Sequence, residues 1–301
     1  RQAFAHSKGK IMSPTKPNLR PLTPTLVLIM ILCALLIPTS AIYSAESQQD
    51  SALEDLWIDM RIGPPLIPLF NQAARSDDIA RVEHPSQVEQ LAGIETGRKM
   101  IIFQSVSEAE KLLPDMAADI DIVGYNLEHG QTTPEGEKAD PVGSIRRMRE
   151  LVDAYGLDLA YGPDHDFALS HGVQMAPFVD IFVLQIQRQQ TNPATVEAFV
   201  APLVPQLREA NPDLEVSVQV RTEGDVEAIV ALLDSLQLHL DGISILTSPD
   251  TVEVAWELAA ALRPNVTLPS QGSERTTIYG LAAAAARALG AGALLFRRRQ
   301  D

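Results

Sequence analysis

The chain has 301 residues, 46% of them hydrophobic and 21% charged, with 39 acidic against 24 basic residues and a formal net charge of −15. That apolar content suffices for one large core or two modest ones, and the acidity argues against nucleic acid and anionic lipid as partners. A single cysteine, Cys33, excludes an internal disulfide framework and a Cys-ligated metal site.

Lys8, Lys10, Lys16 and Arg20 precede an uninterrupted apolar run, residues 26–37, which is followed by Pro38, Thr39, Ser40 and Ala41. Basic, apolar and small residues in that order form a secretory signal peptide, and the run is shorter than the roughly 20 residues of a membrane span. Cleavage after Ala41 or Ala45 is expected, with an uncleaved anchor as the alternative. Residues 1–45 are therefore assigned to the signal peptide and what precedes it, residues 46–263 to a folded domain, and residues 264–301 to a tail or a last βα unit. Residues 46–272 hold 37 acids against 14 Lys and Arg, a net −23. Such a body suits an extracellular or cell-surface protein that handles neutral or cationic material, or serves solubility alone.

Residues 56–60 read as a strand, while 62–98 fit no simple unit and are expected to wrap one end. From Lys99 onward a short apolar strand, a polar loop and an amphipathic helix recur. A strand at 100–103 leads to a helix near 107–118, and 122–125 leads through a long loop to 142–155. A strand at 157–161 precedes a turn around 165–170, and 181–187 precedes a long helix at 194–210. Strands at 216–221 and 242–246 are followed by helices at 225–236 and 251–262. Ser107 with Glu110 makes a capping box, Asp140 caps a helix opened by Pro141, and Thr251 caps the last helix. Gly156 and Pro212 close others. This alternation implies right-handed parallel crossovers. The absence of a glycine-rich loop after Phe103 argues against an open dinucleotide-binding sheet. The fold class is thus α/β, a (β/α)8 TIM-barrel-like domain, irregular at its first and last units. Its eighth strand is expected at 266–268 or 293–296.

In a barrel, residues just past each strand converge at one mouth. They include Asp59 and Arg61; Asn126, Glu128 and His129; Asp164 and Asp166; Gln185 and Gln187; Gln219 and Arg221. Glu128 is the candidate general acid, because apolar neighbours such as Tyr125 and Leu127 raise a carboxyl pKa. Asp164 and Asp166 are candidates to orient it or to act as second carboxylate. Tyr125, Asn126, His129, Gln185, Gln187, Gln219 and Arg221 are assigned to substrate binding, since a sugar's hydroxyls need polar partners once water is displaced.

The run Asp121-x-x-Gly124-x-Asn126-x-Glu128 resembles the strand motif of family 18 chitinases, Asp-x-x-Asp-x-Asp-x-Glu, whose Glu is the proton donor. The resemblance implies that role for Glu128, with Gly124 and Asn126 replacing two aspartates. Over residues 96–262 the chain is also similar to secreted bacterial proteins of unassigned function with a glycosidase-like barrel. That likeness is carried by Tyr125-Asn126-Leu127-Glu128, Thr133-Pro134-Glu135-Gly136-Glu137, Asp140-Pro141-Val142, Gly162-Pro163-Asp164 and Gln185-Ile186-Gln187, and it implies a fold and secretion. At the far end, Leu268-Pro269-Ser270-Gln271-Gly272, an apolar segment and Arg297-Arg298-Arg299 resemble a sortase-type cell-wall sorting signal. Gln271 stands where that signal has Thr, and Arg287 interrupts the apolar segment. The alternative there is a final helix at 278–289 and the strand at 293–296.

Three functions compete. The first is a secreted glycoside hydrolase with Glu128 as acid. The second is a surface barrel that binds carbohydrate without chemistry, consistent with the replaced aspartates. The third is a metal-dependent hydrolase built on Asp164, His165 and Asp166, although adjacent residues on an extended segment point to opposite sides. No metal and no cofactor is assigned. The partner expected is a carbohydrate or other polar small molecule, and the membrane is met only through the signal peptide or the tail. Trp57 and Trp256 are the only tryptophans, too few for an aromatic platform under a long polysaccharide.

Overall fold

The computed structural model describes residues 52–263 and Val266. The signal-peptide reading with Cys33 and the tail readings at 268–299, including the candidate strand at 293–296, lie outside the described residues.

Eight parallel strands close into a barrel in sequence order: β1 Trp57–Arg61, β2 Ile79–Val82, β3 Arg98–Phe103, β4 Ile122–Tyr125, β5 Asp158–Tyr161, β6 Ile181–Gln185, β7 Glu215–Arg221 and β8 Gly242–Leu246. Trp57 of β1 pairs with Gly242 of β8, which completes the ring without any residue of the tail. The helices are α1 Ile67–Ala73, α2 Val106–Met116, α3 Glu135–Ala139, α4 Pro141–Asp153, α5 His165–Met175, α6 Pro193–Ala210, α7 Val226–Leu236 and α8 Val252–Leu262. This is a (β/α)8 barrel.

The eighth strand is β2, inside the segment that fitted no unit, rather than a strand at 266–268 or beyond. Only four residues long and carrying Arg81, β2 lacks a continuous apolar run, and a 3-10 helix at Pro85–Gly93 replaces the helix that would have followed it. The cap of α2 lies two residues upstream of the expected one: Ser105 accepts from the Glu108 amide at 3.1 Å, and the Glu108 carboxylate accepts at 2.8 Å from the amide of Gln104, the residue before the cap. Asp140, Asn192 and Asp225 cap α4, α6 and α7 through their side chains. The Thr251 hydroxyl does not cap α8; it accepts from the Ser248 amide and bonds the Thr222 hydroxyl. Where only a turn was expected, α5 runs three turns, burying Phe167, Ala168, Gly172 and Met175.

Strand alternation separates two cores. Phe103, Val123, Tyr125, Tyr161 and Phe182 face the helices in one continuous cluster. Trp57, Ile79, Met100, Ile102, Ile122, Ala160, Ile181 and Val183 fill the barrel. Gly242 makes room for the Trp57 indole, since a Cβ there would lie 2.1 Å from a ring carbon. Toward the strand C-termini the filling turns polar, with Asp59, Arg81, Gln185, Ser217, Gln219 and Ser244 all buried. This polar layer is the floor beneath the mouth.

Candidate active site

The floor is organised around Arg81. Its Nε lies 2.9 Å from both oxygens of Asp59, and its Nη1 pairs with Glu83. The Ser244 hydroxyl donates to Asp59 at 2.6 Å, so a buried carboxylate is bonded from two strands. Burial opposes the Arg81 charge, but the facing charges of Asp59 and Glu83 prevail and hold the guanidinium firmly cationic. Glu83 reaches the mouth, with 16% of its side chain exposed, and the Gln87 amide oxygen accepts from its backbone N–H. Between floor and mouth, Asp59, Arg81, Asn126, Gly162 and Gln219 line a cavity of about 10 Å³, room for about one water. Any ligand larger than a water must therefore bind above it, among the loops.

Glu128 stands at that level, three residues past the end of β4. Its carboxyl pKa is raised, chiefly by burial, with the charges of Asp164 and Glu83 adding and the Gln185 hydrogen bond and Arg188 opposing. Its one side-chain partner among the described residues is the Gln185 amide, 3.3 Å away, which also donates to the Gly162 carbonyl at 2.8 Å. Gln187 donates to the Gln185 oxygen at 2.9 Å, so the Gln185 NH2 is aimed at Glu128.

The loop after β4 is pinned from three sides. The buried Thr133 hydroxyl accepts from the Glu128 amide at 3.3 Å, and Asp164 accepts from the His129 amide at 2.8 Å. The third tie is Glu137 of α3, a buried carboxylate that accepts from the Val106 amide at 3.0 Å and from the Tyr125 hydroxyl at 2.6 Å. Val106 is the first residue of α2, so its N–H has no helical partner of its own. Burial, then the Glu137 bond, push the Tyr125 pKa up.

Glu128, Asn126, Asp164, Gln185 and Gln219 meet at the mouth or in the cavity below, with Gln187 bonded behind them. His129 stacks on Phe167 at 4.5 Å and bonds the exposed Asp166 at 2.6 Å. Slight burial would raise the Asp166 pKa, but the His129 bond and charge outweigh it and lower it. Asp166 thus lies on the rim, 65% exposed, because α5 begins at His165 and Asp166 falls on the exposed side of its first turn, while Phe167 and Ala168 are buried. Tyr125 departs from the expected substrate role: fully buried and sharing the helix-facing side with Val123, it bonds Glu137 and lines no part of the mouth. Arg221 ends β7 on the axis-facing side, in register with Gln219.

Arg81, Glu83, Ser244, Thr133 and Glu137 were not among the expected site residues. At Gly124 a Cβ would lie 2.2 Å from Ile102 Cδ1 and 3.3 Å from Met100 Sδ, so the space of the replaced aspartate is taken by the tips of those two side chains. The barrel carries its buried acid on β1 instead, as Asp59. Among the described residues no three His, Cys, Asp or Glu side chains cluster as metal ligands, and no helix is long and apolar enough to cross a membrane.

No protein-family model matches the sequence, and no curated protein matches it. Among solved structures, the chain is similar to a protein from Burkholderia cenocepacia J2315 described as a phosphonomutase, at 14% identity and TM-score 0.47, over 69% of this chain and 93% of that one. It is similar to a dihydrodipicolinate synthase from Agrobacterium tumefaciens str. C58 at 16% identity and TM-score 0.44, over 79% and 80% of the two chains. A truncated 3-deoxy-D-arabino-heptulosonate 7-phosphate synthase from Thermotoga maritima matches at 14% identity and TM-score 0.33, over 48% and 49%. The chain spans about half the length of that last protein.

Proposed function

We propose that the barrel hydrolyses a glycosidic bond, with Glu128 as general acid and Glu83 as the second carboxylate. The observation that carries this reading is the setting of Glu128: a partly buried carboxyl at the mouth, its proton favoured by burial and two neighbouring carboxylates, its only side-chain partner among the described residues a neutral amide. A general acid needs its proton near working pH, and this is how a carboxyl keeps it. The C1–O bond breaks with its electron pair passing to the leaving oxygen, which takes the Glu128 proton. Water adds to C1 and gives a proton to Glu83; exchange with solvent then restores both carboxyls. Asn126 and Gln185 offer amides to sugar hydroxyls. Export to the cell exterior belongs to the same proposal and rests on the basic, apolar and small-residue order before Ala45.

The test is a panel of glycans and aryl glycosides offered to the wild type, Glu128→Gln and Glu83→Gln. Glu128→Gln should lose turnover of natural glycosides and keep more of it on aryl glycosides with good leaving groups, whereas Glu83→Gln should lose both. Binding without turnover by all three proteins would replace the proposal with a carbohydrate-binding barrel. Activity abolished by a chelator and restored by zinc would replace it with a metal-dependent hydrolase.

A further inference from the structure

The mouth is electrically divided. Glu83, Glu128 and Asp164 stand on the β2, β4 and β5 sides. Across the ring from Glu128, Arg61 and Arg221 are the last residues of β1 and β7, with β1 next to the strand that leads to Glu83. Each follows by two an axis-facing cavity residue, Asp59 and Gln219 respectively, so strand alternation points both into the barrel mouth. Strands β1 and β7 flank β8, which sets the two arginines' strands about 10 Å apart.

Both arginines are partly buried and held in place. Arg61 Nη1 donates to the Thr247 carbonyl at 3.1 Å, and the Thr247 hydroxyl donates back to the Arg61 carbonyl at 2.6 Å. The Gln190 side chain clips the Arg221 backbone at both ends, accepting from its N–H at 2.8 Å and donating to its carbonyl at 3.1 Å. Yet neither guanidinium has a carboxylate partner among the described residues. Of the 14 Lys and Arg in residues 52–263, nine form an ion pair. In a domain with such an excess of acids, two arginines fixed at the mouth and left unpaired are a local reversal of charge. A partly buried guanidinium costs desolvation that a bound anion offsets, and its planar fork suits a carboxylate or sulfate.

We propose that the substrate carries an anionic group, the carboxylate of a uronic acid or a sulfate ester, which Arg61 and Arg221 receive. This runs against the neutral or cationic material that the acidic body suggested. The identity of the bond cut beside Glu128 rests on the hydrolase reading; the anion site does not. Calorimetric titration of the whole protein with D-glucuronate, D-glucose and D-glucose 6-sulfate separates the two, because these sugars have no bond to hydrolyse. One of the anionic sugars should bind about tenfold or more tighter than glucose, the range of one or two charge-assisted hydrogen bonds. The tighter of the two names the group, and added salt should erode the preference. Arg221→Met should abolish the preference and Arg221→Lys restore part of it, which separates loss of charge from loss of folding. Glucose binding as tightly as both anionic sugars, no binding of either anionic sugar, or a preference that survives both Arg61→Met and Arg221→Met would overturn the proposal. A preference that stands while no glycoside is hydrolysed would overturn the hydrolase reading alone.

Discussion

The bond between Tyr125 and Glu137 can be broken from either end, and the two ends should not cost the same. Glu137→Ala strands two buried donors, the Tyr125 hydroxyl and the Val106 amide. An unsatisfied buried donor costs about 1–3 kcal/mol, so this variant should lose about 2–6 kcal/mol. Tyr125→Phe removes one donor and leaves the carboxylate on the Val106 amide, so the loss should be nearer 1–2 kcal/mol. In the double variant only the amide is stranded. The two single losses less the double loss leave the stranded Tyr125 hydroxyl plus the Tyr125→Phe loss, so the coupling between the two sites should be about 2–5 kcal/mol. Urea unfolding of the four proteins at neutral pH, followed by tyrosine fluorescence and far-UV dichroism, measures the cycle. A coupling below about 0.5 kcal/mol, within the additivity of independent sites, would refute the assignment of Glu137 as the tie between β4, α3 and the start of α2.

Two further outcomes follow from the electrostatics of the mouth. The Glu128 pKa is raised, so the acid form is full below it and activity should fall as pH rises through it. Asp164→Asn removes a charge that raises this pKa and Arg188→Gln one that lowers it, so the alkaline limb of the rate profile should move to lower pH in the first and higher pH in the second. Shifts of one sign in both would refute the neighbour-charge account. Arg81→Met leaves Asp59 and Glu83 facing each other without their cation, at a cost of about 3–5 kcal/mol by thermal or urea unfolding. Burial raises the Asp59 pKa and Arg81 opposes it, so without Arg81 the Asp59 carboxyl is easier to protonate folded than unfolded; part of that loss should return as pH falls, and a deficit that deepens in acid would contradict the pairing.

Seven strands were readable because each carries an apolar run bounded by polar turns. Strand β2 was not, for a physical reason: it holds the buried cation. A four-residue strand with Arg81 at its third position and Glu83 just beyond has the composition of a loop. Only the partners on β1 and β8, Asp59 and Ser244, make burying that charge tolerable. Those partners are 22 and 163 positions away, beyond any local pattern. The same holds for Glu137, which reads as one more loop acid until Tyr125 and the open end of α2 close on it. Tyr125 differs, since the signal was present: Gly124, Asn126 and Glu128 share one parity and Val123, Tyr125 and Leu127 the other, so parity alone sends Tyr125 to the helices. Asp166 was lost to the unread start of α5, which splits the acidic pair into one inward carboxylate at the N-cap position, Asp164, and one rim residue.

The short runs that carried the family likeness prove to be contacts of a single loop. Thr133 holds the Glu128 amide, Gly162 and Gln185 fix the polar wall beside its carboxyl, Asp164 holds the His129 amide, and Glu137 ties Tyr125. Residues far apart along the chain have in common the placing of one carboxyl. That argues for a site built to hold Glu128 still, which is what transition-state chemistry requires and more than a solvated loop residue needs. Gly124 limits the chemistry in the opposite direction. A carboxylate at this position would have to displace the Ile102 side-chain tip, and with glycine there any second acid comes from another strand end. Asp164 and Glu83 both stand at other strand ends with charges that act on the Glu128 proton; Asp164 is tied to the His129 amide, which leaves Glu83, anchored by Arg81, as the carboxylate proposed for that role.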